Sequence, residues 1–131
     1  MQKNDSTHID PMETLSIHSF SVEELAEGIG RVLIPGVSDH YFSYGFCSDL
    51  MSDLLTIDTP ETVLITGLIT AQTIRTAHIA EIHCVIFVRN KQIPSNILHI
   101  AKELNISIIH SPNTMFHVCG ILFSKGLQSI Y

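Results

Sequence analysis

The sequence predicts a single layered α/β domain, a mainly parallel sheet flanked by helices. Three observations predict it. Short β-rich apolar runs recur at TVLIT (62–66), CVIFV (84–88) and ISIIH (106–110). Helical patterns of about three turns, TAQTIRTAHIAE and IPSNILHIAKELN, stand between them, so the order is strand–helix–strand–helix–strand. Right-handed crossovers then give a parallel sheet with helices on its faces. The connecting loops are short, and a chain of 131 residues fits one domain with a substantial core.

Each element has its own local signal. Residues 1–14 (MQKNDSTHIDPMET) are polar and aperiodic and are expected to be a flexible arm, leaving 15–131 as the domain. A helix starts in SVEELAEGIG, where Ser21 and Glu24 have the spacing of a capping box and Leu25 follows on the apolar side. Gly28 and Gly30 end it, and RVLIPG is a short strand closed by a turn. CVIFV is nearly all apolar, as expected of a strand covered on both faces. In the following helix Ile97, Ala101 and Leu104 fall at helical spacing. The last helix lies in SPNTMFHVCGILFSKG, with Ser111 as expected N-cap and Pro112 in the first helical position.

Composition limits the function. Hydrophobic residues make up 45% of the chain and charged residues 15%, which suits a compact globular protein with some surface covered by another subunit. The net charge is −6 with seven Lys and Arg and no basic run, which argues against nucleic-acid binding. No apolar run reaches the length of about 18 residues that a membrane span needs, and no apolar leader opens the chain. Cys47, Cys84 and Cys119 are odd in number and widely spaced, without CxxC or Cys/His spacing. They are expected to be reduced, buried thiols of a cytoplasmic protein.

Residues 38–55, SDHYFSYGFCSDLMSDLL, crowd aromatics, aspartates and a cysteine together. Later segments place LITG at Leu64–Gly67, AKELNI at 101–106 and SPNTMFHVCG at 111–120. In their order and spacing these resemble the DRTGG domain family, and through it the N-terminal domain of HPr kinase/phosphorylase, from about Ser21 to Tyr131. The family's loop, Asp-Arg-x-x-Thr-Gly-Gly, reads here Asp39-His40-Tyr41-Phe42-Ser43-Tyr44-Gly45. A short strand at Phe46-Cys47 and then Ser48-Asp49-Leu50-Met51-Ser52-Asp53 follow. Three loop positions depart from the pattern: His40 replaces the arginine, Ser43 the threonine and Tyr44 the first glycine. A neutral imidazole cannot replace a permanently charged planar fork, so no role of that arginine carries over. The resemblance implies a stand-alone regulatory or scaffold domain, in bacterial metabolic or redox regulation, that acts through a protein partner.

Catalytic motifs do not support an enzyme. GxxxxGK[ST] is absent, since the segment from Gly120 to Gly126 lacks the Gly-Lys-Ser/Thr ending, and GxGxxG, GxSxG and HExxH are absent too. Among the eight histidines, His78 and His83 (with Glu81) and His110 and His117 are expected at opposite ends of the sheet, so no metal site or other cofactor is predicted. Asp49 and Asp53, four residues apart, would share one helix face, where Ser48 and Asp49 are expected to cap the helix and Asp53 to be solvated. Cys47 ahead of that helix, with His40 as the one histidine nearby in sequence, is expected to be a buried small side chain.

Open α/β sheets bind ligands at the carboxyl ends of their strands. That edge should carry Thr66, Gly67 and Thr70 after the first regular strand, Arg89, Asn90 and Lys91 after the second, and Ser111 and Asn113 after the third. With Ser48 and Asp49, these are the candidate contacts for a small anion or a nucleotide phosphate. The expected function is a non-enzymatic regulatory or protein-interaction module acting as a homodimer, with helix SPNTMFHVCGILF and the aromatic loop 41–46 as the expected contact. The alternative is a sensor of a small nucleotide or phosphometabolite, and a third reading is an enzyme with an unrecognised site around Asp49 and His40.

Overall fold

A computed structural model describes residues 17–37 and 39–130, so the arm expected at 1–14 lies outside the described residues. The elements are α1 (Val22–Ala26), β1 (Arg31–Ile34), β2 (Tyr44–Cys47), a 3₁₀ segment (Met51–Thr56), β3 (Thr62–Thr66), α2 (Ala71–Ile79), β4 (Cys84–Phe87), α3 (Ser95–Glu103), β5 (Ser107–His110), α4 (Met115–Lys125) and β6 (Gln128–Ser129). The strands form one sheet in the order β1-β5-β4-β3-β2-β6. Every pairing is parallel except β1 with β5, which is antiparallel and shifts register between Val32 and Ile34. The α/β class and mainly parallel sheet are as expected; β2 and β6 extend the three expected parallel strands along one edge.

Side-chain alternation splits the core into two clusters, one on each face of the sheet. Val63, Ile65, Ile86, Val88 and Ile109 pack with Leu25 of α1 and with Val118 and Leu122 of α4. Their neighbours Leu64, Val85, Phe87 and Ile108 pack on the other side with Leu54, with Ile74 and Ala77 of α2, and with Ile97 and Ala101 of α3. Strands β2 to β5 are therefore sequential neighbours whose connections all cover one face. The chain then crosses the opposite face as α4 to place β6 beside β2.

The capping box is present: Ser21 Oγ accepts from the Glu24 N–H, and Glu24 accepts from the Ser21 N–H. Helix α4 begins later than expected. Thr114 is its N-cap, accepting from the His117 N–H at 3.2 Å. Ser111 is instead turned inward, donating to the Ile29 carbonyl at 2.5 Å and accepting from the Asn113 N–H at 3.2 Å, so a buried partner outcompetes the capping role. At the other end of α4, Gly126 takes φ 115° and its N–H returns to the carbonyls of the last turn, a conformation that costs a side-chain-bearing residue most.

The loop 39–45 is mostly structural. Phe42 is buried and bridges to Phe20, and Ser43 is buried with its hydroxyl 3.0 Å from Glu61 Oε1. Tyr44 and Gly45 already belong to β2, so of the aromatic contact expected at 41–46 only Tyr41 stands well exposed.

Candidate functional site at the carboxyl end of the sheet

The expected strand-end residues meet around Asp49, although not as its local sequence suggested. The segment after β2 is 3₁₀ rather than α-helical, its N-cap is Leu50, and no side chain caps it. Asp49 precedes the turn and reaches back across the end of β3. Its Oδ1 accepts from Thr66 Oγ1 and from the Gly67 N–H, each at 2.8 Å. Two preorganised donors on buried residues outweigh a solvent-facing cap, because they would otherwise be left unpaired. Asp49 and Asp53 consequently do not share a helix face. Ser48 accepts from the Leu50 N–H at 2.9 Å and donates to Asp53 Oδ2 at 3.2 Å, closing a separate local turn.

Two cations complete the cluster. Arg89 Nη2 lies 3.6 Å from Asp49 Oδ2, with the two side chains 44% and 46% exposed. Lys91 Nζ donates to the Gly67 carbonyl at 2.9 Å. Gly67 is needed for this approach, since a Cβ there would run into the Arg89 guanidinium. The Gly67 N–H, then the Thr66 hydroxyl and the two cations, hold the Asp49 carboxyl below its ordinary value against the opposing effect of burial.

The loop after β4 is held in an uncommon conformation. Arg89 and Asn90 have φ of 72° and 56°, both left-handed, and such residues persist where the surroundings fix them. Here the Arg89 N–H donates to the Asn113 carbonyl at 2.7 Å and the Asn90 N–H to the Ser111 carbonyl at 3.0 Å. The loops after β4 and β5 are thus tied together by main chain. Thr70 is the N-cap of α2, accepting from the Thr73 N–H at 3.1 Å. Thr66, Gly67, Arg89 and Asp49 therefore form one cluster. Thr70, Asn90, Ser111, Asn113 and Ser48 shape the loops around it through the bonds just given.

Chemically the cluster resembles an anion site that already holds an internal anion. Asp49 occupies the N–H, hydroxyl and guanidinium that an incoming phosphate or carboxylate would use. Among the described residues no group of three His, Cys, Asp or Glu is arranged to hold a metal ion.

Sequence reasoning missed two other associations. At the amino end of the sheet, His40 and His83 lie with ring centroids 4.2 Å apart, tilted by 41°. They line a cavity of about 600 Å³ with Tyr41, Glu61 and Glu81, and His40 Nδ1 is buried with no hydrogen-bond partner among the described residues. Burial, then the neighbouring His40, lowers the His83 pKa, with Glu81 opposing. His110, at the carboxyl end of β5, is far from this pair, as expected. His40 and Cys47 also lie at opposite ends of β2, so they form no nucleophile–base pair. Cys47 is exposed rather than buried, because it ends its strand beside a groove; Cys84 is the fully buried thiol. That groove, about 370 Å³, runs between α4 and the β2–β6 edge and is lined by Gly45, Cys47, Ile65, Phe116, Cys119 and Phe123 among others. No periodic signal reports such pairings, since each joins residues on separate elements.

No family model matches the chain, and no curated protein matches it. Among solved structures it is similar to the CBS and DRTGG domains of the regulatory region of Clostridium perfringens pyrophosphatase, complexed with the activator diadenosine tetraphosphate. The TM-score is 0.54 at 18% identity, over 67% of this chain and 38% of that one. This likeness supports a DRTGG-like fold. The chain spans well under half the length of the similar structure.

Proposed function

We propose that this protein is a non-enzymatic regulatory or interaction module that works as a homodimer through α4. The observation that carries the reading is the exposed side of that helix. Helix α4 buries Val118 and Leu122 fully, yet it also carries Phe116, 90% exposed, and Phe123, 71% exposed, next to the polar His117 and Ser124. The two rings flank the apolar groove, and aromatic anchors of this kind are enriched at protein contacts. In a two-fold dimer the same face of a second copy would cover these rings, and the 15% charged composition is in keeping with a covered face. The similarity to a regulatory region supports the regulatory part of the reading.

Sedimentation at micromolar concentration tests it. The chain is expected at twice its 14.6 kDa mass, and the F116S/F123S double variant at the single-chain mass with unchanged far-ultraviolet circular dichroism. A wild-type chain that sediments as a monomer would refute the dimer.

A second reading, a sensor of a small anionic ligand, is favoured by one observation: Arg89 and Lys91 converge on Gly67 at a strand end, and Arg89 is close to half exposed. The similar regulatory region was solved with a nucleotide activator, which fits a polyphosphate as the class of ligand. Such a ligand would compete with Asp49 for Arg89 and the Gly67 N–H.

A further inference from the structure

Cys47 and Cys119 come from elements far apart in sequence and meet in the groove beneath Phe116 and Phe123. The register explains the meeting. Cys47 pairs with Ile65 across the parallel β2–β3 ladder, and side chains opposite each other in register share a face. Ile65 belongs to the cluster packed by α4, so Cys47 projects toward α4 as well. On α4, Cys119 follows the buried Val118 and is only partly covered. Cys47 is close enough to Cys119 to help raise the pKa of that thiol. Cys84 is completely buried on β4 and has no part in this arrangement.

We propose that Cys47 and Cys119 are a redox-modifiable dithiol, converted by hydrogen peroxide into an intrachain disulfide that ties the end of β2 to α4. The Cys47 thiolate attacks one peroxide oxygen and the O–O bond breaks, leaving a sulfenic acid on Cys47 and releasing hydroxide that is protonated to water. The Cys119 sulfur then attacks the Cys47 sulfur. The S–S bond forms, the S–O bond breaks, and the hydroxide leaves as a second water with the Cys119 proton. Two electrons pass from the thiols to the peroxide, and an added thiol reverses the bond by exchange.

The division of roles follows from the surroundings. Cys47 is exposed, so oxidant reaches it first. Burial, reinforced by Cys47 itself, pushes the Cys119 thiol up to about 12, so it enters as the resolving partner and not as the first nucleophile. A bond between β2 and α4 would also fix the floor of the groove under both phenylalanines. Only that consequence, a redox control of the α4 contact, rests on the dimer proposed above; the bond itself does not.

The test exposes the fully reduced chain to a small excess of hydrogen peroxide and follows intact mass after an alkylating quench. The chain is expected to lose two hydrogens, to yield a linked Cys47–Cys119 peptide on digestion, and to keep Cys84 alkylatable. C119S should stop at a sulfenic acid on Cys47 that dimedone traps, and C47S should react much more slowly. Over-oxidation of Cys47 with Cys119 left free, a linkage between two Cys47 residues, or equal reactivity in C47S would each overturn the proposal. Sedimentation of the reduced chain is read separately: a monomer there removes the dimer and leaves the dithiol standing, while a failed mass result does the reverse.

Discussion

Replacing Asp49 tests the view that an internal carboxylate holds the carboxyl end of the sheet together. In D49A the Thr66 hydroxyl and the Gly67 N–H, both on buried residues, lose the one oxygen they share. Leaving such a group unpaired costs about 1–3 kcal/mol. Because the Asp49 side chain is 46% exposed, water can enter the vacated space, and the lower half of that range applies to each donor. The half-exposed contact with Arg89 adds about 0–1 kcal/mol. D49A should therefore lose about 2–5 kcal/mol. D49N should lose only about 1 kcal/mol, since an amide oxygen in the Oδ1 position still accepts both bonds and only the charge is gone. Urea unfolding at fixed protein concentration measures both, read as a lower midpoint at unchanged slope. The pH dependence follows from the depressed carboxyl. A folded value below the unfolded one makes the charged form's contribution complete above the unfolded value of about 4. That contribution is lost as pH falls through the folded value, so the gap between wild type and D49N should close as pH drops below about 4. A loss below about 0.5 kcal/mol in D49A, or Asn as damaging as Ala, would refute the reasoning.

Two further outcomes are expected. His83 has a lowered pKa in the fold, from burial and then His40, so the unfolded chain binds the proton more readily and stability rises with pH through about 6.5, the unfolded imidazole value; urea midpoints of H83Q should depend less on pH between about 5 and 7 than those of wild type, and an unchanged dependence would show that the His40–His83 pair does not govern it. For the ligand reading, scanning fluorimetry with pyrophosphate as probe should show a rise in Tm for wild type that R89A abolishes and D49N enlarges, with about 2.7 kcal/mol of stabilisation at a hundredfold excess over Kd; no rise, or an equal rise in R89A, would remove that reading.

What the sequence made legible follows the distance over which each feature is decided. Strands β3 and β4 were legible because they are buried on both faces, and TVLIT and CVIFV carry that burial in their own letters. The start of α1 was legible because a capping box is complete within four residues. Strand β6 was not: two exposed residues, Gln128 and Ser129, have no apolar period, and they pair only because α4 brings them beside β2. The same limit explains Ser111, whose local pattern is that of an N-cap but whose partner, the Ile29 carbonyl, lies far away in sequence.

Asp49 shows the limit at the candidate site itself. Ser48-Asp49 ahead of an apolar run carries every local mark of a helix cap, and the strand-end residues Thr66, Gly67 and Arg89 carry the marks of an anion site. The two patterns looked like separate features because a sheet register separates them in the chain. Pairing Cys47 with Ile65 carries the chain after β2 to the end of β3, where Thr66 and Gly67 present their donors. The aspartate is then the anion that those donors and Arg89 already hold. Any external anion at this end of the sheet must displace a carboxylate that is tethered, preorganised and at high effective concentration. Ligand binding here and the stability supplied by Asp49 are therefore in competition, and one substitution, D49N, moves them in opposite directions.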